Sequence, residues 1–263
     1  MRTLLTIGLS IVTACGSEQP PPQVDTATDT TVAGTSSSAR SGGIPREIYI
    51  DSVTVGNPVV VYGRARTFEN TVQVRVRDAE GGLITEVFTT SAGEMGNHNP
   101  FVANAWLSRP PGAQIVVESF EYSAKDGSVR SLTADTVAFT VPNSSFILDF
   151  AGTDCTTTVT VRREAPRTVA VARLLAEMLV TGPDSSERAT GAASMFPRGS
   201  RVNTVILRQG ELTVDFNERL QNVGGSCAAQ AIRSSVTKTL SRLPSVRDVI
   251  ITAGGSQDLA LQP

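Results

Sequence analysis

Residues with the chemistry to carry a reaction are few and scattered in this sequence. His98 is the single histidine of 263 residues. It lies in Gly96-Asn97-His98-Asn99-Pro100, a run of turn formers. An imidazole supplies acid–base work near neutral pH or a zinc ligand, but this one has an amide on either side and no second soft ligand nearby. It reads as a solvent-facing loop residue. Gly224-Gly225-Ser226-Cys227-Ala228 spells a loose nucleophile elbow in front of a helix. An elbow needs a strand running straight into the serine and a histidine to take its proton. Here the strand pattern stops at Phe216, and His98 belongs to the other half of the chain. Ser226 is expected to be a helix N-cap, with a serine hydrolase kept as a remote alternative.

Ser235-Val236-Thr237-Lys238 has the S-x-x-K spacing of penicillin-binding enzymes. Those sites also need a K-T-G strand, which neither Lys125 nor Lys238 provides, so a solvated helix face is expected. Asp215 and Glu218 would make a carboxylate pair for general acid–base work. Placed just after a strand, they are expected to stay solvated, with Asp215 pointing outward or capping a backbone amide. No glycine-rich phosphate loop carries a lysine. The sequence therefore assigns no catalytic, metal-binding or cofactor-binding residue.

Composition narrows the function classes. The 23 Lys and Arg against 25 Asp and Glu leave no basic excess to neutralise phosphates, so nucleic acid is not an expected partner. Hydrophobic residues at 40% are enough for packed cores, and the length suits two modest domains.

The first 15 residues read as an address. Met1-Arg2 precedes a short apolar run through Val12, too short to span a bilayer as a permanent helix. Val12-Thr13-Ala14-Cys15 closes it in the manner of a bacterial lipobox, in which the Cys15 thiol is acylated; the plain alternative is an ordinary signal peptide with an incidental cysteine. Residues 16–44 hold Pro20-Pro21-Pro22 and ten Ser or Thr, and are expected to form a disordered stalk. The folded part is thus expected outside the cytoplasmic membrane, lipid-anchored, its inner or outer destination open. With Cys15 set aside, Cys155 and Cys227 remain: either a disulfide in a permissive compartment or two buried thiols.

Beyond the stalk the patterning changes near residue 143. Residues 45–142 show short alternating runs between turn residues. In Thr71–Arg77, Val72, Val74 and Val76 point one way while Gln73, Arg75 and Arg77 point the other. Further strands are expected at 47–53, 58–66, 83–90, 101–108, 114–122 and 134–141. About seven strands without a helical pattern fit an immunoglobulin-like β-sandwich. Residues 143–263 mix strands at 145–150, 156–162, 202–208, 211–216 and 246–252 with helices at 168–181 and 226–242. Asp184-Ser185-Ser186-Glu187 has capping-box spacing for a short helix between them. This is an α+β domain with a mixed sheet and two main helices.

Both units resemble domains of bacterial spore-germination lipoproteins. In 45–142 the resemblance rests on Gly63-Arg64-Ala65, Phe68-Glu69, Asp78 with Gly81-Gly82, Phe101, and Glu118–Ser123 leading into Asp126-Gly127-Ser128. These residues are similar to the germination-associated immunoglobulin-like domain. In 146–262 it rests on Arg162-Arg163, Leu174-Leu175, Gly182-Pro183 with Glu187, Phe196-Pro197-Arg198-Gly199, Gly210–Phe216, Ala229–Ile232 and Leu243–Val246. These are similar to the GerMN (sporulation and spore germination) domain. Leu148-Asp149-Phe150 departs from the aromatic pair usual in the first strand, and the Cys155/Cys227 pair is not part of the pattern. The resemblance implies no catalytic residues, and likeness to ring-building modules. The expected function is a non-enzymatic envelope protein whose domains meet envelope proteins or a second copy of the chain. A module for cell-wall glycan or a small ligand is the alternative.

Overall fold

A computed structural model describes residues 46–221 and 223–262. The signal segment, Cys15 and the stalk lie outside the described residues. Seven strands come first: β1 (Ile48–Thr54), β2 (Val59–Ala65), β3 (Thr71–Asp78), β4 (Leu83–Thr90), β5 (Asn99–Ala105), β6 (Gln114–Tyr122) and β7 (Val129–Ala138). They form two open antiparallel sheets, ordered β1-β2-β5 and β4-β3-β6-β7. Their inner faces enclose Val59, Val61, Phe101, Ala103, Ile115 and Val117 around the fully buried Val72, Val74 and Val76 of β3. The period of two in β3 is therefore the period of burial.

Two quoted motifs have steric causes here. Gly63 lies where a Cβ would come within 2.2 Å of the Tyr49 carbonyl oxygen and 2.5 Å of Phe101 Cζ, so β2 passes Phe101 only with no side chain. After β3 the Asp78 carboxylate accepts from the Gly82 amide at 2.5 Å and from Arg109 at 2.7 Å, closing the turn. β7 begins at Val129, earlier than its alternation suggests, because Val129 pairs with Tyr122 immediately beyond the 123–128 turn.

The rest of the chain runs β8 (Asn143–Gly152), β9 (Thr158–Pro166), α1 (Val171–Thr181), α2 (Ser185–Ala189), β10 (Ala192–Ala193), β11 (Val202–Arg208), β12 (Glu211–Phe216), α3 (Ser226–Leu240) and β13 (Asp248–Ala253). One sheet is antiparallel, β10-β8-β9. The other is mixed, β11-β12-β13, in which β12 and β13 run parallel. A parallel pair needs a long crossover, and α3 supplies it. The buried faces of α1 (Leu174, Leu175, Met178, Leu179) and α3 (Ile232, Val236, Leu240) share one core with Leu148, Phe150, Val214 and Phe216.

The helix boundaries follow their caps. Asp184 and Glu187 form the expected reciprocal capping box at α2. α1 starts at Val171 rather than Thr168, because the Thr168 hydroxyl accepts from the Ala170 amide ahead of the helix. That leaves Val169 ahead of the helix and fully exposed. α3 stops at Leu240, which frees Arg242 to reach the buried Asp149 of β8 at 2.7 and 3.0 Å.

Sandwich and α+β part meet at a buried amide within one compact unit. Asn57, just before β2, accepts from the Leu107 amide at 2.9 Å and donates to the Pro166 carbonyl at 2.9 Å. Trp106 packs on the second core.

Candidate binding groove at the sheet edges

Beside this junction runs a groove of about 890 Å³. Three edge strands line it: β4 through Thr85–Thr89, β5 through Val102–Asn104, and β11 through Val202 and Asn203. α1 and residues 199–201 make the facing wall. Each of these strands is last in its sheet, so its outer side has no strand partner within that sheet. The Val102 carbonyl takes a hydrogen bond at 2.8 Å from the Thr89 hydroxyl.

Arg173, from the first turn of α1, organises the wall. Its guanidinium donates to the Asn203 and Val202 carbonyls, both at 2.7 Å, and to Glu177 Oε1 at 2.6 and 2.9 Å. It also lies 5.9 Å from the centre of the Trp106 ring. Burial pushes the Glu177 carboxyl above its ordinary value, and the charge and hydrogen bonds of Arg173 only partly offset this. Arg201 behaves differently. Its guanidinium stacks 4.2 Å from the centre of the Phe88 ring, and among the described residues it makes no ion pair. The groove's hydroxyls serve the backbone: Thr181 donates to the Glu177 carbonyl and Ser200 to the Pro197 carbonyl. The arrangement offers an aromatic ring, a guanidinium and open backbone edges, which are means of binding.

The residues singled out from the sequence lie elsewhere. Cys155 and Cys227 form a disulfide, Cα to Cα 5.7 Å, that ties the turn between β8 and β9 to the first turn of α3. Ser226 is not the N-cap of α3. Gly225 holds that place with φ 99°, a conformation that favours glycine, and Ser226 is the first helical residue. His98 is half-buried rather than solvent-facing: its Nε2 lies 3.0 Å from the Arg46 carbonyl and its ring packs edge-on to Tyr49. Ser226 and His98 are not brought together. Ser235 is buried and Lys238 donates to Thr158 at 2.7 Å, so the S-x-x-K run is not a wholly solvated face. Asp215 accepts from Thr252 at 2.6 Å, the Gly255 amide at 2.8 Å and Asn203 at 2.9 Å. Burial opposes its ionisation, but these bonds hold its carboxyl below the ordinary range. Glu218, in the short 3-10 turn that follows, shares none of them. Reasoning from sequence passed over Arg173, Arg201 and Phe88. The i,i+4 spacing of Arg173 and Glu177 was a usable signal; the stacking of Arg201 on Phe88 had none, since 113 positions separate them.

Comparison with known proteins gives the class. Residues 51–128 match the family described as the immunoglobulin-like domain of bacterial spore germination. Residues 144–259 match the family described as sporulation and spore germination. The chain thus pairs a germination-type immunoglobulin-like domain with a GerMN domain. Among solved structures it is similar to the tandem GerMN domains of the sporulation protein GerM from Bacillus subtilis. That match has 17% identity, covers 43% of this chain and 40% of that one, and has TM-score 0.37. The first GerMN domain of the same protein is 23% identical over 42% of this chain and 84% of that one, TM-score 0.35. A putative lipoprotein from Clostridium perfringens is 15% identical over 44% and 78%, TM-score 0.31. The chain spans well under half of the tandem-domain structure. No curated protein matches it. No described helix is long and apolar enough to cross a membrane.

Proposed function

We propose that this chain is a non-enzymatic envelope protein, held to a membrane through lipid on Cys15, that presents its germination-type domain pair for contact with other proteins. The observation that carries this is the joining of two open-sheet domains through a buried, fully hydrogen-bonded Asn57. The pair offers partners one composite surface rather than two independent ones, while each sheet keeps free edges for main-chain pairing. Anchoring raises the effective concentration of that surface near partners on the same membrane. The test is fractionation and crosslinking of the full chain in its native cells beside Cys15→Ser. Membrane retention that the substitution abolishes, with a discrete crosslinked envelope partner, is the expected result. An unacylated monomer in the medium, without such a partner, overturns the proposal. The groove with Trp106 and Phe88 favours one second reading, recognition of cell-wall glycan or a small ligand; saturable retention on purified peptidoglycan would select it.

A further inference from the structure

We infer that the groove between β4, β5 and β11 is a docking site for an extended, acidic peptide segment of a partner protein, a site that rests on the protein-contact reading above. Three independent features lead to that ligand. Edge strands of three sheets line one concavity. A chain lying in it meets the outer main-chain edge of β4, the currency of strand addition, since Thr89 already holds the Val102 carbonyl of β5 and Arg173 the Val202 and Asn203 carbonyls of β11. The stretch Thr85–Thr89 runs about 15 Å, enough to register four or five extended residues. The volume of about 890 Å³ suits a segment of that size rather than a folded domain.

Charge selects the composition of the segment. Both carboxylates of the groove are engaged, Glu177 by Arg173 and Glu86 by the Tyr122 hydroxyl at 2.9 Å. Arg201 has no carboxylate, and Arg219, whose side chain approaches Gly199 at the rim, makes no ion pair among the described residues either. The Arg201 guanidinium carbon sits 4.2 Å from the centre of the Phe88 ring, a contact that restrains it before a ligand arrives and leaves its N–H groups for a carboxylate. A neutral strand would leave that cation unanswered, and a basic one would be repelled.

Trp106 is the only tryptophan of the chain and lies in the groove, so its fluorescence reports occupancy directly. The full chain is titrated with three capped heptapeptides: alternating Glu and Val, alternating Lys and Val, and the first with its central Val replaced by Pro. The expected result is a saturable change with the Glu/Val peptide alone, weakened about tenfold by Arg201→Glu and untouched by Arg233→Glu on α3. No saturable change, equal responses to the acidic and basic peptides, or indifference to the proline overturns the site. Photocrosslinkers at positions 88 and 68, in cells, separate its failure from that of the broader reading. Capture at 68 without capture at 88 removes the groove and leaves protein contact standing; capture at neither removes both. Capture at 88 that the Glu/Val peptide competes away supports the site.

Discussion

The carboxamide of Asn57 spans two parts of the chain, accepting from the Leu107 amide and donating to the Pro166 carbonyl, each at 2.9 Å. Asn57→Ala leaves both backbone groups without their partner in a buried site. The expected loss is about 1–3 kcal/mol in urea unfolding. Leu107 amide exchange in the native state should quicken in parallel. Unchanged protection at Leu107 would mean that water replaces the side chain at no cost.

A second prediction concerns acid. Burial pushes the Asp149 carboxyl up, yet hydrogen bonds from Arg242 and Thr160 outweigh it and hold the group below the ordinary range. A native carboxyl with a lowered pKa contributes stability that is complete above the unfolded value, near 3.9, and is lost as pH falls through the native one. The urea midpoint of the wild type should therefore drop on acidification below about pH 5, and Asp149→Asn should flatten that limb. Arg242→Ala at neutral pH should cost about 2 kcal/mol, less than breaking a fully buried pair because Arg242 is half-exposed.

The disulfide between Cys155 and Cys227 closes a separation of 72 residues. Loop-closure entropy of that length corresponds to about 4 kcal/mol. The Cys155→Ser, Cys227→Ser double variant should lose stability on that scale. The difference should vanish when wild type and variant are both unfolded under reducing conditions.

Two glycines should respond oppositely to alanine. At Gly63 the new Cβ strikes the Tyr49 carbonyl and the Phe101 ring, and overpacking should cost about 2–3 kcal/mol. At Gly224 no heavy atom lies within 4 Å of the added carbon, so the change should stay within about 0.5 kcal/mol. Thermal denaturation of the two variants side by side checks both.

What was legible in the sequence was whatever a local period or a local cap writes. The valines of β3 and the capping box at Asp184 each concern neighbours within a few positions, and each stands where its pattern placed it. The N-terminus of α3 was misread because serine is the better cap by side chain, while the entry demanded the positive φ of Gly225. β10, only Ala192 and Ala193, is too short to carry a period and exists through pairing with Gly152 and Ala151. The groove was illegible for a related reason. Its parts come from stretches spread between Pro58 and Asn203, and nothing near Phe88 in the chain announces Arg201.

Arg173 bears on more than the ion pair with Glu177. By occupying the carbonyls of Val202 and Asn203 it seals the opening residues of β11, while Thr204 to Arg208 keep an exposed flank, with Val205 half-covered. Any strand zipping along this edge therefore has to stop short of Asn203. A guanidinium from a neighbouring helix thereby sets the length of border that is open to pairing.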